Sequence, residues 1–335
     1  MLARRRSSDG SQTFNPIYSD GPAHGKSTGA FSGSVLLNDG ITVVLCPAYS
    51  PNIGLYDSLN NTYVDGPAHG YPSTTVAYTS CHKLNDGRIL FVPYNGNQAI
   101  DIYDPITKSL TKYANLGLLN GVMGSGVLVN NTWVVIPPYR IQIIFVLYDI
   151  VNNTVSQVSN ATILPLAKLG ATWHMSSGCL LNNGKVLFTT DSNNGVICMF
   201  DIQAKNFNVY NFPAGLGDYA YMTVSLLKNG NVLFIPFNTT AFRIFNTATN
   251  AFSTGPAHAE GTNAFTGSTR LNNNITCITP HSSTVIGFYN ETDNTYSKGP
   301  AHGRGLRAFQ GDGVLIGRKV ILPPYNSPNI GILNF

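Results

Sequence analysis

The sequence predicts an all-β chain, a seven-bladed β-propeller of four-stranded antiparallel blades closed by the N-terminal strand pairing with the C-terminal blade. Three observations predict it. A turn signal recurs at a propeller period, a small residue recurs at one position of every first strand, and the word Gly-Pro-Ala-His-Gly appears near the N-terminus, before any paragraph it can close.

The turn comes first. Equivalent positions fall at Asp39, Asp86, Asn131, Asn183, Asn229, Asn273 and Gly317, with spacings of 47, 45, 52, 46, 44 and 44 residues. Each paragraph, as in residues 31–70, runs strand, Asn-Asp-Gly turn, strand, Pro-aromatic loop, strand, Asx-rich turn, strand. A four-stranded sheet of this kind cannot bury both faces alone, so seven copies pack face to face around an axis. The innermost strands crowd there, and their third positions are all small: Gly33, Ser80, Ser125, Ser177, Thr223, Gly267 and Gly311.

The last paragraph stops after its third strand, at Phe335. Joining Phe335 to Phe14 continues it without a gap: Phe14 takes the place of Leu59, Tyr18 that of Tyr63 and Gly21 that of Gly66. The first Gly-Pro-Ala-His-Gly, at 21–25, therefore ends the last blade. Residues 1–13 are left as a flexible basic arm, and residues 14–335 form the propeller.

Only 11% of residues are charged, against roughly 25% in an ordinary domain. The 36 Asn residues outnumber the 16 acids and supply much of the polar surface. Three units of the net charge of +4 come from Arg4, Arg5 and Arg6, so the body has no basic stripe and nucleic acid is excluded as a partner. Cys46, Cys81, Cys179, Cys198 and Cys277 lie in or beside apolar strands without a Cys-x-x-Cys pair and read as buried free thiols. No secretion signal is expected from the residues given, which also hold no apolar run of membrane-span length. The expectation is a soluble protein, in a virion or the cytoplasm.

The segment IDIYDPITKSLTKY at 100–113 resembles the third and fourth strands of a kelch repeat, as do IGLYDSLNNTYVDG, FVLYDIVNNTVSQV and IGFYNETDNTYSKG. This resemblance, over residues 14–335, implies the propeller fold and no partner specificity. The kelch Gly-Gly pair is replaced by Pro-aromatic or Pro-Pro, and the kelch Trp by Tyr63, Leu110, Val155, Phe207, Phe252 and Tyr296. The low-charge, Asn-rich repeats are also similar in composition to proteins of large DNA viruses.

In a propeller, the loop between the second and third strands opens on the same face as the link between blades. Here the first set places Tyr49, Tyr94, Tyr139, Phe237, His281 and Tyr325 around one mouth of the channel, interleaved with Asn95, Asn238 and Asn326, with Arg140 and Asp191 on the same loops. Aromatic faces beside amides suit a protein surface or a sugar, and these eleven residues form the candidate ligand site. The alternative is that they cap the blade ends.

His24, His69, His258 and His302 close four blades and are expected to be structural, hydrogen-bonding backbone in the next blade rather than holding metal. Blade 4 keeps Pro213 and Ala214 but has Gly215 in place of His. The recurring Asp57, Asp104, Asp149 and Asp201, replaced elsewhere by Asn246, Asn290 and Asn334, read as turn formers. The remaining acids of interest are Asp191, Asp218 and Glu260, with Asp312 on an innermost strand. No catalytic residues, metal or cofactor are assigned. The expected function is a non-enzymatic binding or structural propeller that presents its loop face to a protein, with a component of a viral particle as one setting for it. Two alternatives stand beside it: a glycan-binding propeller, and a polysaccharide hydrolase or lyase.

Overall fold

The structure is a computed structural model describing residues 14–94, 99–116, 122–139, 144–159, 175–190, 196–213 and 216–335. The proposed arm, and Ala214 and Gly215, lie outside the described residues. Seven four-stranded antiparallel sheets form the ring. Blade 1 is Phe31–Leu36, Thr42–Pro47, Asn52–Asp57 and Thr62–Ala68. Blades 2 to 6 repeat the order from Tyr78, Val127, Met175, Tyr221 and Phe265. A two-stranded ribbon, Val122–Met123 with Pro138–Tyr139, adjoins blade 3.

Local chemistry sets the outer hairpin of each blade. Asp57 Oδ1 accepts the N–H groups of Leu59 and Asn60, both at 2.9 Å. Asp104, Asp149, Asp201 and Asn246 each cap the same two N–H groups of their turns. The turn then needs a left-handed residue, and Asn supplies it at Asn61, Asn153, Asn250 and Asn294, with φ of 55°, 53°, 55° and 51°. The recurring acids are thus turn formers, as the repeat implied.

Blade 7 joins the two ends of the chain. Its strands are Val314–Ile316, Lys319–Leu322, Asn329–Asn334 and, outermost, Ile17–Ala23. Tyr18 pairs with Leu333 and Asp20 with Gly331, as Tyr63 pairs with Tyr56 and Asp65 with Gly54 in blade 1. The register matches the one read from the repeat.

The core is distributed over seven blade interfaces. One apolar cluster joins each neighbouring pair, including Leu45 and Tyr56 of blade 1 with Ile321 and Ile332 of blade 7. At the axis the strands approach so closely that a Cβ on Gly267 would lie 2.0 Å from the Gly311 carbonyl oxygen, and one on Gly311 would lie 2.1 Å from that of Ser32. Only glycine fits there.

The four repeated histidines are pins. Nε2 of His24, His69, His258 and His302 lies 2.8, 2.7, 2.9 and 2.8 Å from the carbonyl oxygens of Ser327, Ser50, Thr239 and Ser283. Nδ1 accepts the N–H of Lys26, Tyr71, Glu260 and Arg304 in turn. The expectation of backbone bonds to the next blade is corrected: each carbonyl belongs to the same blade. The ring meets the next blade by packing, as His69 does on Tyr78 at 5.5 Å and His258 on Phe265 at 5.3 Å. The residue two places on continues the join. Lys26 pairs with Asp65 at 2.6 Å, Glu260 with Lys298 at 3.1 Å, and Arg304 with Asp20, while Lys112 sits over the Tyr71 ring.

These pins require neutral imidazole, because a carbonyl takes the Nε2 proton and an N–H points at the Nδ1 lone pair. Burial lowers all four pKa values below the usual 6.5. Their stabilisation is full above the unfolded-state pKa and is lost as pH falls through the lower folded values. The melting temperature is therefore expected to decline between about pH 7 and about pH 5. A flat profile over that range would contradict the pinning role.

Inside the blades a second pairing recurs. The aromatic that starts the inner strand stacks over a position on the third strand. Phe31, Phe265 and Phe309 meet Gly54, Gly287 and Gly331, whereas Tyr78 meets Asp101. The Tyr78 hydroxyl donates to Asp101 Oδ2, while Oδ1 of this fully buried side chain has no partner. Burial raises the Asp101 pKa. Tyr78→Phe is expected to cost about 1–3 kcal/mol, because it strands the acid, which can take up a proton to limit the loss. Adding Asp101→Gly recreates the Phe-Gly pairing and should recover most of that cost in a denaturation double-mutant cycle. Simple additivity would refute the coupling.

Candidate functional site

The axis is an open channel, wide at the mouth where the loops between second and third strands meet the blade links. The mouth cavity has a volume of ≈ 530 Å³. In every blade but the fourth, the loop leaves the second strand through a proline, which ends the sheet ladder and turns the chain toward the axis. Tyr49, Tyr94, Tyr139, Phe237, Asn238, His281 and Tyr325 line it, as the sequence predicted. Asn95, Arg140 and Asp191 lie outside the described residues. Asn326 is not in the wall: its Oδ1 accepts the Gly29 N–H at 3.1 Å and its Nδ2 donates to the Leu306 carbonyl at 3.4 Å. Asn238 clamps in the same way, between the Asn263 N–H at 3.1 Å and the Asp218 carbonyl at 3.3 Å. Both amides thus hold loop to link.

Among the wall residues that escaped the sequence reading are Tyr219, Asn263 and Arg307. Each precedes the Ala-aromatic pair that starts an inner strand, as Gly29 does in blade 1. All four are left-handed, with φ of 77° at Gly29, 56° at Tyr219, 53° at Asn263 and 56° at Arg307. That conformation is costly for Tyr and Arg, and strain of this kind clusters at functional sites. A signal was present: the residue before Ala-aromatic varies freely among Gly, Val, Tyr, Asn and Arg while its neighbours hardly change.

His281 is a titratable group of the mouth wall. It is 6% exposed, packs against Phe237 at 5.4 Å, and its Nδ1 lies 3.2 Å from the Asn263 carbonyl oxygen. Ser282 Oγ lies 3.3 Å from the same nitrogen. A carbonyl only accepts, so the bond to Asn263 requires the proton on Nδ1, which leaves Nε2 with the lone pair. Burial, with the Arg307 cation adding to it, pushes the imidazole down to about 4. Burial also raises the Tyr325 phenol, beside Tyr49 and Tyr94, so it remains protonated and able to donate. The mouth therefore combines a neutral base, a guanidinium and phenols. Glu260 is committed to Lys298 and Tyr296, and Asp312 stands deeper in the channel. Among the described residues no three His, Cys, Asp or Glu side chains gather to hold a metal. Nor is any helix long and apolar enough to cross a membrane.

No family model and no curated relative matches the chain. Solved structures do. A streptogramin B lyase aligns with a TM-score of 0.78 at 15% identity, over 96% of this chain and 98% of its own. A virginiamycin B lyase from Staphylococcus aureus aligns at 0.79 and 12% identity, over 96% and 100%. The same enzyme as a catalytically inactive His-to-Ala variant with quinupristin aligns at 0.75 and 12%, over 96% and 100%. At these identities the likeness establishes the seven-bladed propeller fold. The kelch assignment gains nothing from it, and neither virion membership nor carbohydrate binding is supported. The expectation of a non-enzymatic binding or structural propeller is corrected, since proteins that share this architecture nearly end to end are lyases. In the sequence a mouth of aromatics reads as a binding surface, and nothing local sets His281 apart from the aromatics of the other loops.

Proposed function

We propose that the chain is a lyase whose substrate enters the aromatic mouth and loses a proton to His281. The observation that carries this reading is the His281 Nδ1 contact with the Asn263 carbonyl, which keeps Nε2 unprotonated in a cavity that also holds Arg307 and Tyr325. In such an elimination, Nε2 takes the proton from a carbon next to a carbonyl, the electron pair becomes a carbon–carbon double bond, and the bond to the β-leaving oxygen breaks. Arg307 suits the negative charge that develops on the carbonyl or leaving oxygen. Tyr49 and Tyr325 supply an apolar face and a hydroxyl for holding the substrate. The lyase names of the structural neighbours support the reaction class.

The test is incubation with virginiamycin B and with quinupristin, followed by mass spectrometry in heavy-oxygen water. Turnover is expected to yield a new double bond with no oxygen taken from solvent. Solvent oxygen in the product would make the enzyme a hydrolase, and folded protein that turns over neither compound would remove this substrate class.

A further inference from the structure

Beyond the mouth, the channel opens into a second cavity of ≈ 440 Å³, walled by the middles of the inner strands. Several of its hydroxyls are already committed as donors. Ser34 Oγ donates to the Asp312 carbonyl at 3.0 Å, Ser125 Oγ to that of Thr79 at 3.3 Å, and Thr223 Oγ1 to that of Thr266 at 2.8 Å. Ser80 Oγ accepts the Gly126 N–H and lies 3.1 Å from His82 Nε2. What these side chains still offer the channel is lone pairs.

Four titratable groups line this cavity: Cys81, His82, Cys179 and Asp312. Burial pushes His82 down to about 4 and Cys179 up to about 12, and the Cys46 thiol together with burial raises Cys81, so all three are neutral near pH 7. Asp312 remains. Its Oδ1 accepts the Ser268 N–H at 2.8 Å. The residue is open to the channel, yet protein surrounds it, and that loss of hydration pushes its carboxyl up to about 6. Among the described residues no Lys or Arg lines this cavity or pairs with Asp312.

We propose that the inner channel is a binding site for a small primary ammonium group, held by the Asp312 carboxylate and the acceptor oxygens around it. An uncompensated carboxylate in an enclosed space calls for a cation, and the acceptor oxygens on the wall around it suit one with several N–H groups. A single acid provides one negative charge, which matches a monovalent cation.

Butylammonium chloride is the probe, followed by calorimetry and ligand-observed NMR at constant ionic strength. Saturable binding in the millimolar range is expected at about pH 7.5, weakened at least about tenfold by Asp312→Asn and weakened for wild type at about pH 5, where the carboxyl is protonated. Tetramethylammonium, which lacks N–H donors, should bind more weakly. Without ligand, Asp312→Asn should melt no lower than wild type, because Asn still accepts from Ser268. Equal binding by Asp312→Asn, no saturable binding by wild type, or displacement by potassium as effective as by the amine would each overturn the proposal.

Discussion

Removing residues 1–20 is expected to unfold or aggregate the protein, whereas removing residues 1–12 is expected to leave its melting temperature nearly unchanged. The longer deletion takes most of the strand Ile17–Ala23, which covers the edge of Asn329–Asn334. With it go the Tyr18 ring, 6.1 Å from Phe309, and Phe14, which meets Phe288 at 5.0 Å and Phe335 at 5.8 Å. The Asp20 partner of Arg304 is lost as well. Blade 7 would be left with three strands and an open edge between two packed neighbours, and bare edges invite intermolecular pairing. The loss is set at several kcal/mol, or at outright aggregation, because it combines broken backbone pairing with an opened aromatic cluster. Thermal unfolding with size-exclusion chromatography on both truncations gives the answer. Equal melting temperatures would mean that the ring is not held shut by this strand.

The closure was legible because a repeat protein writes its register seven times. A missing fourth strand at one end and an orphan one at the other can be matched residue by residue, and Tyr18 opposite Leu333 follows from Tyr63 opposite Tyr56. The small residues at the axis and the Asx turns were legible for the same reason. Departures from the repeat were harder to read. Asp101 occupies a position that is Gly54 in blade 1, and nothing local to it in sequence reveals that Tyr78, in the inner strand, supplies its hydrogen bond. The mouth aromatics follow prolines and were found. Tyr219, Asn263 and Arg307 were not, since their role depends on a left-handed backbone that a sequence shows directly only when the residue is Gly, as at Gly29. The proposed base was illegible for a related reason. His281 stands where other blades carry Tyr or Phe, without a motif around it, and only the carbonyl of Asn263 marks it as a base.

His281→Ala is expected to lower kcat/KM for the proposed elimination by about 10²–10⁴-fold, the range that one positioned general base supplies. The ring is buried against Phe237, so a parallel His281→Gln variant, which fills more of the space, guards against reading a packing loss as a catalytic one. The pH profile separates the two roles further. With the imidazole pushed down to about 4, the base form prevails throughout the neutral range, and kcat/KM should fall only as pH drops toward about 4. A histidine at its ordinary value would instead lose half its base form near 6.5. Arg307 adds to the lowering, so Arg307→Gln should move the acid limb upward even as it weakens stabilisation of the departing charge. Turnover by folded His281→Ala and His281→Gln within a few-fold of wild type, or an acid limb that stays fixed when Arg307 is neutralised, would assign the proton to another group of the mouth.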